Sequence, residues 1–407
     1  MAQELRIVLR NVGKINPEQV DDYLKAGGYK SLEKARSMQP IKVIEEVKKS
    51  GLRGRGGAGF STGQKWLFTY TVNSDEKYVV CNCDEGEPGT YKDRIILEND
   101  PHTLLEGMAI CAYAVGAKKG YVYVRGEYPS LVDLLNKAAS QAKAKGLLED
   151  FDLEIRMGAG AYVCGEETAL IESLEGHRGE PRVRPPYPPV SGLWQKPTIV
   201  NNVETFANIA PIIEKGASWF AGVGAQSFPG TKVLTLTGDI KNKTFIEVPT
   251  DTKVREVIYD FGGGMEDSKP FKAVQIGGTS GAFMPESQLD TSIDFDSMRK
   301  AGAALGSGAV FVLNTDRDMV DVVNRIAGFF EHESCGKCAP CREGTMRMQE
   351  ILDKINSGNG TKKDLQTLEK LGRVMSLSCL CGLGQAAPAP TITAMKYFGA
   401  EFAAKLR

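Results

Sequence analysis

The sequence predicts a chain of three structural parts: a Rossmann-like α/β domain, a β-grasp (ubiquitin-like) domain and a C-terminal four-helix bundle. Three observations predict it. Helical and strand-like stretches alternate over residues 60–210, which calls for a central sheet covered by helices. Near residue 230 the pattern turns to short strands with one brief helix among them. The last ~90 residues carry four apolar stripes at helical spacing with short connections, the mark of an up-down-up-down bundle. The expected boundaries are 1–62 for an N-terminal helical arm ending in a glycine-rich loop, 63–228 for the α/β domain, 229–317 for the β-grasp domain and 318–407 for the bundle.

Each element has its own justification. Asn16-Pro17 reads as the cap and first-turn proline of a short helix that Gly27-Gly28 closes. A second helix is expected over 41–49, with Ile41, Ile44 and Val47 on one side. Residues 51–60 hold too many glycines for a regular element. Tyr78-Val-Val-Cys-Asn82 is a strand, 102–115 a helix, 121–125 a strand, and Leu131, Leu134, Leu135 and Ala138 mark another helix. Val233-Leu-Thr-Leu-Thr237 and Thr244-Phe-Ile-Glu-Val248 read as a hairpin. A helix over 254–259 and strands over 273–276 and 309–313 complete the middle part. The bundle stripes are Val320, Val323, Ile326, Ala327 and Phe330; Met348, Ile351, Leu352 and Ile355; Leu365, Leu368 and Leu371; and Ile392, Met395, Phe398 and Phe402. All four are read as core packing.

Composition excludes several function classes. Of 407 residues, 42% are hydrophobic and 25% charged, ordinary for a globular protein. A net charge of −1 gives no reason to expect nucleic acid or an anionic membrane as partner. The longest apolar run, 107–117, is bounded by Glu106 and Lys118 and is too short to span a bilayer. Met1-Ala-Gln-Glu-Leu-Arg6 has no signal-peptide core. A cytoplasmic location is therefore expected, where thiols clustered in sequence mean metal rather than disulfide. The three histidines, His102, His177 and His332, do not cluster.

The cysteines carry the sharpest signal. Cys335-Gly-Lys-Cys338-Ala-Pro-Cys341 puts three thiols at C-x-x-C-x-x-C spacing, and Cys381 follows forty residues on. Three ligands plus a distant fourth is the pattern of a [4Fe-4S] cluster. The rival is a structural zinc with four cysteine ligands, whose cysteines usually pair two and two. The first three cysteines are expected in the loop between bundle helices one and two, and Cys381 in the loop between three and four. Those loops lie at one end of the bundle. Cys379 competes as the fourth ligand, with Cys381 preferred. Lys337 and Arg342 would offset the cluster's negative charge.

Gly54-Arg-Gly56-Gly57-Ala-Gly59 resembles a phosphate cradle, with Arg55 and Lys65 available as charge. It fails the dinucleotide fingerprint, because a helix rather than a strand precedes it, and it is no P-loop. A plain surface turn is the alternative. Asn82, Asp84, Glu85 and Glu87 cluster where a strand ends, either at the ligand-binding edge of a sheet or as a solvated acidic turn. Tyr162 with Gly165-Glu166-Glu167, and Asn201-Asn202 with Thr205, are further groups. A glycine cradle, amides and carboxylates upstream of an iron–sulfur motif together point to a flavin.

The stretches Ser50-Gly-Leu-Arg-Gly-Arg-Gly-Gly-Ala-Gly-Phe60, Asp84-Glu-Gly-Glu-Pro-Gly-Thr-Tyr-Lys-Asp-Arg94, Gly165-Glu-Glu167, Ser191-Gly-Leu-Trp194, Asn201-Asn-Val-Glu-Thr205 and Glu333-Ser-Cys-Gly-Lys-Cys-Ala-Pro-Cys-Arg342 resemble the NADH- and FMN-binding subunit of respiratory complex I. The homologous diaphorase subunits of NAD-linked and electron-bifurcating hydrogenases and of formate dehydrogenases share them. The resemblance implies that Gly54, Arg55, Gly56, Gly57, Ala58, Gly59 and Lys65 hold the FMN phosphate and ribityl chain. It implies that Asn82, Asp84, Glu85, Tyr162, Gly165, Glu166, Val200, Asn201, Asn202 and Thr205 line the rest of the flavin. Phe60, Phe68, Glu87, Glu167, Arg184 and Tyr187 match positions around NAD(H). Arg184 and Tyr187 replace a common lysine and phenylalanine, keeping a cation and a ring. Ser61 replaces a frequent proline and Cys83 a small residue; Cys81, Cys83, Cys111 and Cys164 read as buried thiols.

By the same resemblance, hydride passes from NADH to FMN with no protein acid or base. Glu87, Glu166 and Glu167 support that step, and backbone N–H groups near Glu166 stabilise charge on the ring. Coulomb repulsion from Asp84, Glu85 and Glu87 is expected to act on the NADH phosphates and keep product release from becoming slow. Single electrons then reach the [4Fe-4S] cluster and partner subunits: a small thioredoxin-like [2Fe-2S] subunit and a larger iron–sulfur or catalytic subunit. Protons, carbon dioxide, quinone and ferredoxin stay open as final acceptors. A non-catalytic scaffold with a structural zinc is the alternative from another class.

Overall fold

The computed structural model describes residues 3–407; Met1 and Ala2 of the predicted N-terminal arm lie outside the described residues. Strands β1 (Tyr78–Cys83), β2 (Lys119–Val124), β3 (Asp152–Met157) and β4 (Thr198–Asn202) form one parallel sheet in the order β3-β2-β1-β4. Val79, Val80, Cys81 and Cys83 are fully buried, as expected of a central parallel strand covered on both faces. The chain runs from β1 out to β3 and returns to the other side of β1 as β4. The order therefore reverses between β1 and β4, which makes their carboxyl ends the natural ligand crevice.

One face of this sheet packs on helix Pro101–Val115 and the N-terminal helices Val20–Lys25, Lys30–Arg36 and Pro40–Lys49. Asp100 caps Pro101–Val115 by accepting from the Thr103 N–H at 3.1 Å, and Gly116 ends it at φ 78°. The apolar run 107–117 belongs mostly to this buried helix. Among the described residues no helix is long and apolar enough to cross a membrane. The first helix begins at Val20, three residues later than Asn16-Pro17 predicts, because Asn16 closes a turn of its own on the Glu18 N–H at 3.0 Å. Helix Lys30–Arg36 is not foreseen by the sequence; Tyr29 enters it with a left-handed φ of 64°.

A second, mixed sheet has the order β6-β5-β9-β7-β8, with β5 (Thr231–Gly238), β6 (Thr244–Pro249), β7 (Phe271–Ile276), β8 (Phe283–Met284) and β9 (Ala309–Asn314). The β5/β6 hairpin is present as predicted. Its helix is a short α-turn, Val254–Glu256, continuing into a π-helical turn, Val257–Phe261. Glu247 of β6 is buried and accepts the Val8 and Leu9 N–H groups at 2.9 and 2.8 Å, tying the N-terminal segment to this sheet.

Four long helices, Met319–Glu333, Ala339–Asn356, Lys362–Ser378 and Ala389–Ala403, make the helical C-terminal region. A short helix, Gly382–Ala386, interrupts the last connection. Val320, Val323, Phe330, Met348, Leu352, Ile355 and Leu368 of the predicted stripes are buried. They share one core with Tyr78, Val80, Tyr121 and Tyr123 from the second face of the parallel sheet.

Helix Thr62–Thr71 joins the glycine loop to this frame through Trp66, which is fully buried and donates its indole N–H to Asn201 Oδ1 at 3.0 Å. Trp66→Ala removes that filling and that bond together. Urea denaturation should show a loss of about 3–5 kcal/mol, and a loss below ~1 kcal/mol would mean Trp66 is not a structural anchor.

Candidate functional site

Parallel register sets Asn82 beside both Asn202 and Tyr123 at the carboxyl end of the sheet. The glycine loop folds over this end as a lasso. Arg53 and Ser61 bridge its mouth, and the Gly54 N–H donates to Phe60 O at 2.8 Å. Gly57 and Gly59 have φ of 131° and 64°, which L side chains rarely adopt. A Cβ on Gly56 would stand 3.0 Å from Asn202 Cβ, so a bare backbone is what lets the loop lie on the strand end. Thr205 Oγ1 accepts the Arg55 N–H at 2.9 Å. One expectation is corrected here. The Arg55 guanidinium supplies no charge to the cradle: it is buried, donates to the carbonyls of Thr231 and Pro229, and lies 3.9 Å from the Phe228 ring centroid. Lys65 does reach the strand end, with Nζ 2.6 Å from Glu167 Oε2 and 2.7 Å from Val200 O.

The carboxylates divide by environment. Asp84 is buried, and neither of its oxygens has a hydrogen-bond partner; burial pushes its pKa up to about 7. Glu85 accepts the Asp93 and Arg94 N–H groups at 2.8 and 3.1 Å, capping helix Lys92–Asn99. Its oxygens are thus engaged by the helix N-terminus rather than standing as part of an open acidic turn. Glu87 accepts from Tyr162 Oη at 2.6 Å and from the Ser280 N–H at 2.8 Å. Glu166 caps helix Glu167–Leu174 through the Thr168 and Ala169 N–H groups at 2.9 and 3.0 Å, while its own N–H donates to Val163 O. That N–H is thus not available to a flavin ring. Asn82 donates to Gly165 O at 2.7 Å, closing this side of the crevice.

Phe60 and Phe68 are about half exposed, with ring centroids 6.5 Å apart. Arg184 lies 5.8 Å from the Tyr187 ring centroid and 3.7 Å from Glu166 Oε1. Two exposed aromatic groups thus stand at the mouth of the same crevice.

The cysteines converge at one end of the bundle. Cys335, Cys338, Cys341 and Cys381 line a small recess with Val163, Pro181, Lys337, Leu380 and Leu383. Cys341 lies in the first turn of the second bundle helix rather than in the preceding loop. Cys381 precedes helix Gly382–Ala386; burial pushes it up to about 11 while the Gly384 and Leu383 N–H groups favour its thiolate. Cys379 also touches the group, with its thiol against those of Cys338 and Cys341, and burial and neighbouring thiols push it up to about 12. Among the described residues, the one trio of potential ligands within 4.8 Å of one another is Glu172, Glu175 and His177.

Comparison with known proteins meets this geometry. Residues 47–211 match the family model described as Nuo51 FMN-binding domain, and residues 321–405 the one described as NADH-ubiquinone oxidoreductase-F iron-sulfur binding region. The NADP-reducing hydrogenase subunit HndC of Solidesulfovibrio fructosivorans is 50% identical over 99% of this chain and 84% of its own length. The F subunit of the NADH-quinone oxidoreductase of Escherichia coli (strain K12) is 42% identical over 96% and 90%. The chain belongs to the family of NADH-quinone oxidoreductase F subunits. A solved NAD+-reducing [NiFe]-hydrogenase, 37% identical, superposes with a TM-score of 0.89 over 99% of this chain and 67% of the solved one. As a member of that family it is an oxidoreductase that acts with NADH, FMN and a [4Fe-4S] cluster. Its residues fit these groups: a glycine lasso in which a Cβ on Gly56 or Gly59 would be crowded, a buried carboxylate whose oxygens lack a partner, and a recess lined by four thiols.

Sequence reasoning missed the second sheet's part in the site. Ser280, in the run Gly277-Gly278-Thr-Ser-Gly281, holds Glu87, and a Cβ on Gly278 would stand 2.1 Å from Glu87 Cγ. Thr90 and Ser307 share a 2.6 Å hydrogen bond, and Gly57 faces the Gly306 backbone. Both runs are glycine-rich, a readable signal of close approach.

Asp84 also sets a pH dependence. Its folded pKa of about 7 exceeds the unfolded value of about 3.9, so between those values the folded chain holds a proton that the unfolded chain has lost. Stability from this group is full below the lower value and falls as pH rises to the upper one. In flavin-free protein, Asp84→Asn should be more stable than the parent at pH 8, by roughly 2–4 kcal/mol, and the gap should close toward pH 4. Urea midpoints across that range check it; a constant gap would refute the assignment.

Proposed function

We propose that this chain is the NADH-oxidising flavin and iron–sulfur subunit of a larger assembly, with the residues above in defined roles. The carrying observation is one turn of chain. Tyr162–Gly165 gives Tyr162 and Gly165 to the flavin crevice and Val163 to the cysteine recess. Two redox sites that share a turn are close enough for direct electron passage.

When bound, FMN and the cluster supply conversion of two-electron to one-electron chemistry. The chain's own residues bind and orient. The 54–59 lasso presents Gly54, Arg55, Gly56, Gly57, Ala58 and Gly59 backbone to the FMN phosphate, with Lys65 as the nearby cation. Asn82, Asp84, Glu85, Tyr162, Gly165, Glu166, Val200, Asn201, Asn202 and Thr205 build the ring's surroundings, several of them by holding neighbours. Phe60, Phe68 and Tyr187 offer stacking faces to the nucleotide. Arg184 offers charge, and Glu87 and Glu167 border the nicotinamide end. Holding donor and acceptor rings in register is the chief catalytic contribution of such a site. Cys335, Cys338, Cys341 and Cys381 are the cluster ligands.

The second sheet reads as a β-grasp domain and the C-terminal helices as a four-helix cluster domain. A small thioredoxin-like [2Fe-2S] subunit and a larger iron–sulfur or catalytic subunit are the proposed partners, in a hydrogenase, formate dehydrogenase or complex I. The names of the relatives, hydrogenase and quinone-oxidoreductase subunits, support a partnered role; the proposed location is the cytoplasm.

Anaerobic purification with iron and riboflavin supplied should give a protein with flavin bands and a broad iron–sulfur shoulder, both bleached by NADH. Cys381→Ser should lose the shoulder and keep the flavin, while Cys379→Ser keeps both. A colourless parent holding zinc would overturn the reading. Tyr187→Ala should raise KM for NADH by about 5–100-fold with kcat nearly unchanged, since a stacked base contributes roughly 1–3 kcal/mol. Steady-state kinetics with ferricyanide checks this.

A further inference from the structure

Arg125 stands outside every role assigned above. It follows the end of β2, next to the end of β1, and its N–H donates to Cys83 O at 3.1 Å. Asp84 is the next residue on the β1 side, so register brings the two together. Arg125 is 6% exposed and Asp84 9%. Arg125 Nη2 pairs with Glu127 at 2.8 Å. Nη1 points the other way, lies 3.8 Å from Asp84 Oδ1, and has no hydrogen-bond partner; both Asp84 oxygens also lack one.

The space for this arrangement is built into the chain. A Cβ on Gly86 would come within 2.2 Å of Arg125 Nη1 and 3.2 Å of Tyr162 Cδ2. The inner corner of the guanidinium therefore sits among Asp84, Gly86 and Tyr162, in the wall of the flavin crevice. Glu333 is the other carboxylate felt there; it accepts the Tyr162 N–H at 3.0 Å. A buried carboxylate and the Nη1 corner of a buried guanidinium, neither with a hydrogen-bond partner and 3.8 Å apart, form a poor salt bridge but a good clamp. The cation fixes where the carboxylate stands and leaves its oxygens ready for a third group.

We propose that Arg125 is a positioning residue for FMN: it holds the Asp84 carboxylate at the ring so that Asp84 accepts a hydrogen bond from the flavin. Gly86 is part of the same device, because only glycine admits the guanidinium there. This rests on the FMN reading above and adds to it a residue that does not itself bind the ring.

Titration of FMN, followed by quenching of its fluorescence, on the full chain with its cluster intact tests this. It is best done at pH 8, where Asp84 is ionised. Arg125→Gln should weaken FMN binding by about tenfold or more, the size of a charge-assisted hydrogen bond. Arg125→Lys, which keeps the cation, should stay within about threefold of the parent. In an Asp84→Asn background the Arg125→Gln effect should shrink to less than about twofold, since there is no carboxylate left to hold. Gly86→Ala keeps the cation but displaces it, and should weaken binding in the parent and not in Asp84→Asn. Parent-like affinity in Arg125→Gln, equal losses in Arg125→Lys and Arg125→Gln, or an undiminished loss in Asp84→Asn would each overturn the proposal. If Arg125→Gln does not fold, the Gly86→Ala pair decides alone. A parent that takes up no FMN would instead refute the flavin reading itself.

Discussion

Burial of both faces of the four-stranded parallel sheet is the constraint on which the rest depends. One face is covered by helix Pro101–Val115 and the N-terminal helices; the other shares its core with the C-terminal helical region. A parallel sheet cannot leave either face in water when its strands read as continuous apolar runs, as β1 does. The bundle is therefore part of the sheet's covering, and its cysteine end is brought to the carboxyl edge of the strands by core packing. The reach from flavin crevice to thiol recess follows from that packing, with turn Tyr162–Gly165 filling the space between them.

Crowded charge at the crevice is tolerated because most of it is paired below the surface. Lys92 and Lys232 are both buried, and both contact Glu204, Lys92 at 3.2 Å. Lys92 also holds Asp93 at 2.6 Å, and Asn202 bridges the pair, accepting from Lys92 and donating to Asp93 at 2.7 Å. Breaking any one partner would strand a buried charge, which is far more costly than the pair is stabilising. This network fixes the end of β4 from beneath. Asn202 is thus read better as a post supporting the glycine lasso than as a free amide.

Much of this was legible in the sequence, and the parts that were not share a cause. The C-x-x-C-x-x-C run, the glycine loop and the strand-end amides declare their chemistry through local spacing, and the amphipathic stripes through period. What spacing cannot convey is where a side chain turns. Arg55 reads as a phosphate ligand because it sits between glycines, yet its guanidinium satisfies the carbonyls of Pro229 and Thr231 some 175 residues away. Glu85 reads as part of an acidic face, yet it caps a helix that starts seven residues later. Helix Lys30–Arg36 escaped because its entry depends on a left-handed Tyr29, which no propensity favours. Ser280 and Ser307 were invisible as site residues because only the tertiary packing of the second sheet brings them to Glu87 and Thr90.

Three structural parts meet at Tyr162. Its N–H is held by Glu333 at the end of the first bundle helix, and its ring packs edge-on against Phe329, 5.2 Å between centroids. Its hydroxyl holds Glu87, which the Ser280 N–H fixes from the second sheet. A side chain tethered at both ends between packed elements cannot move without moving them. Tyr162 thereby links Glu333 of the helical region to Glu87 at the crevice. The same tether explains why the flavin wall, the second sheet and the bundle occur together in one chain: each supplies a contact that the other two leave unmet.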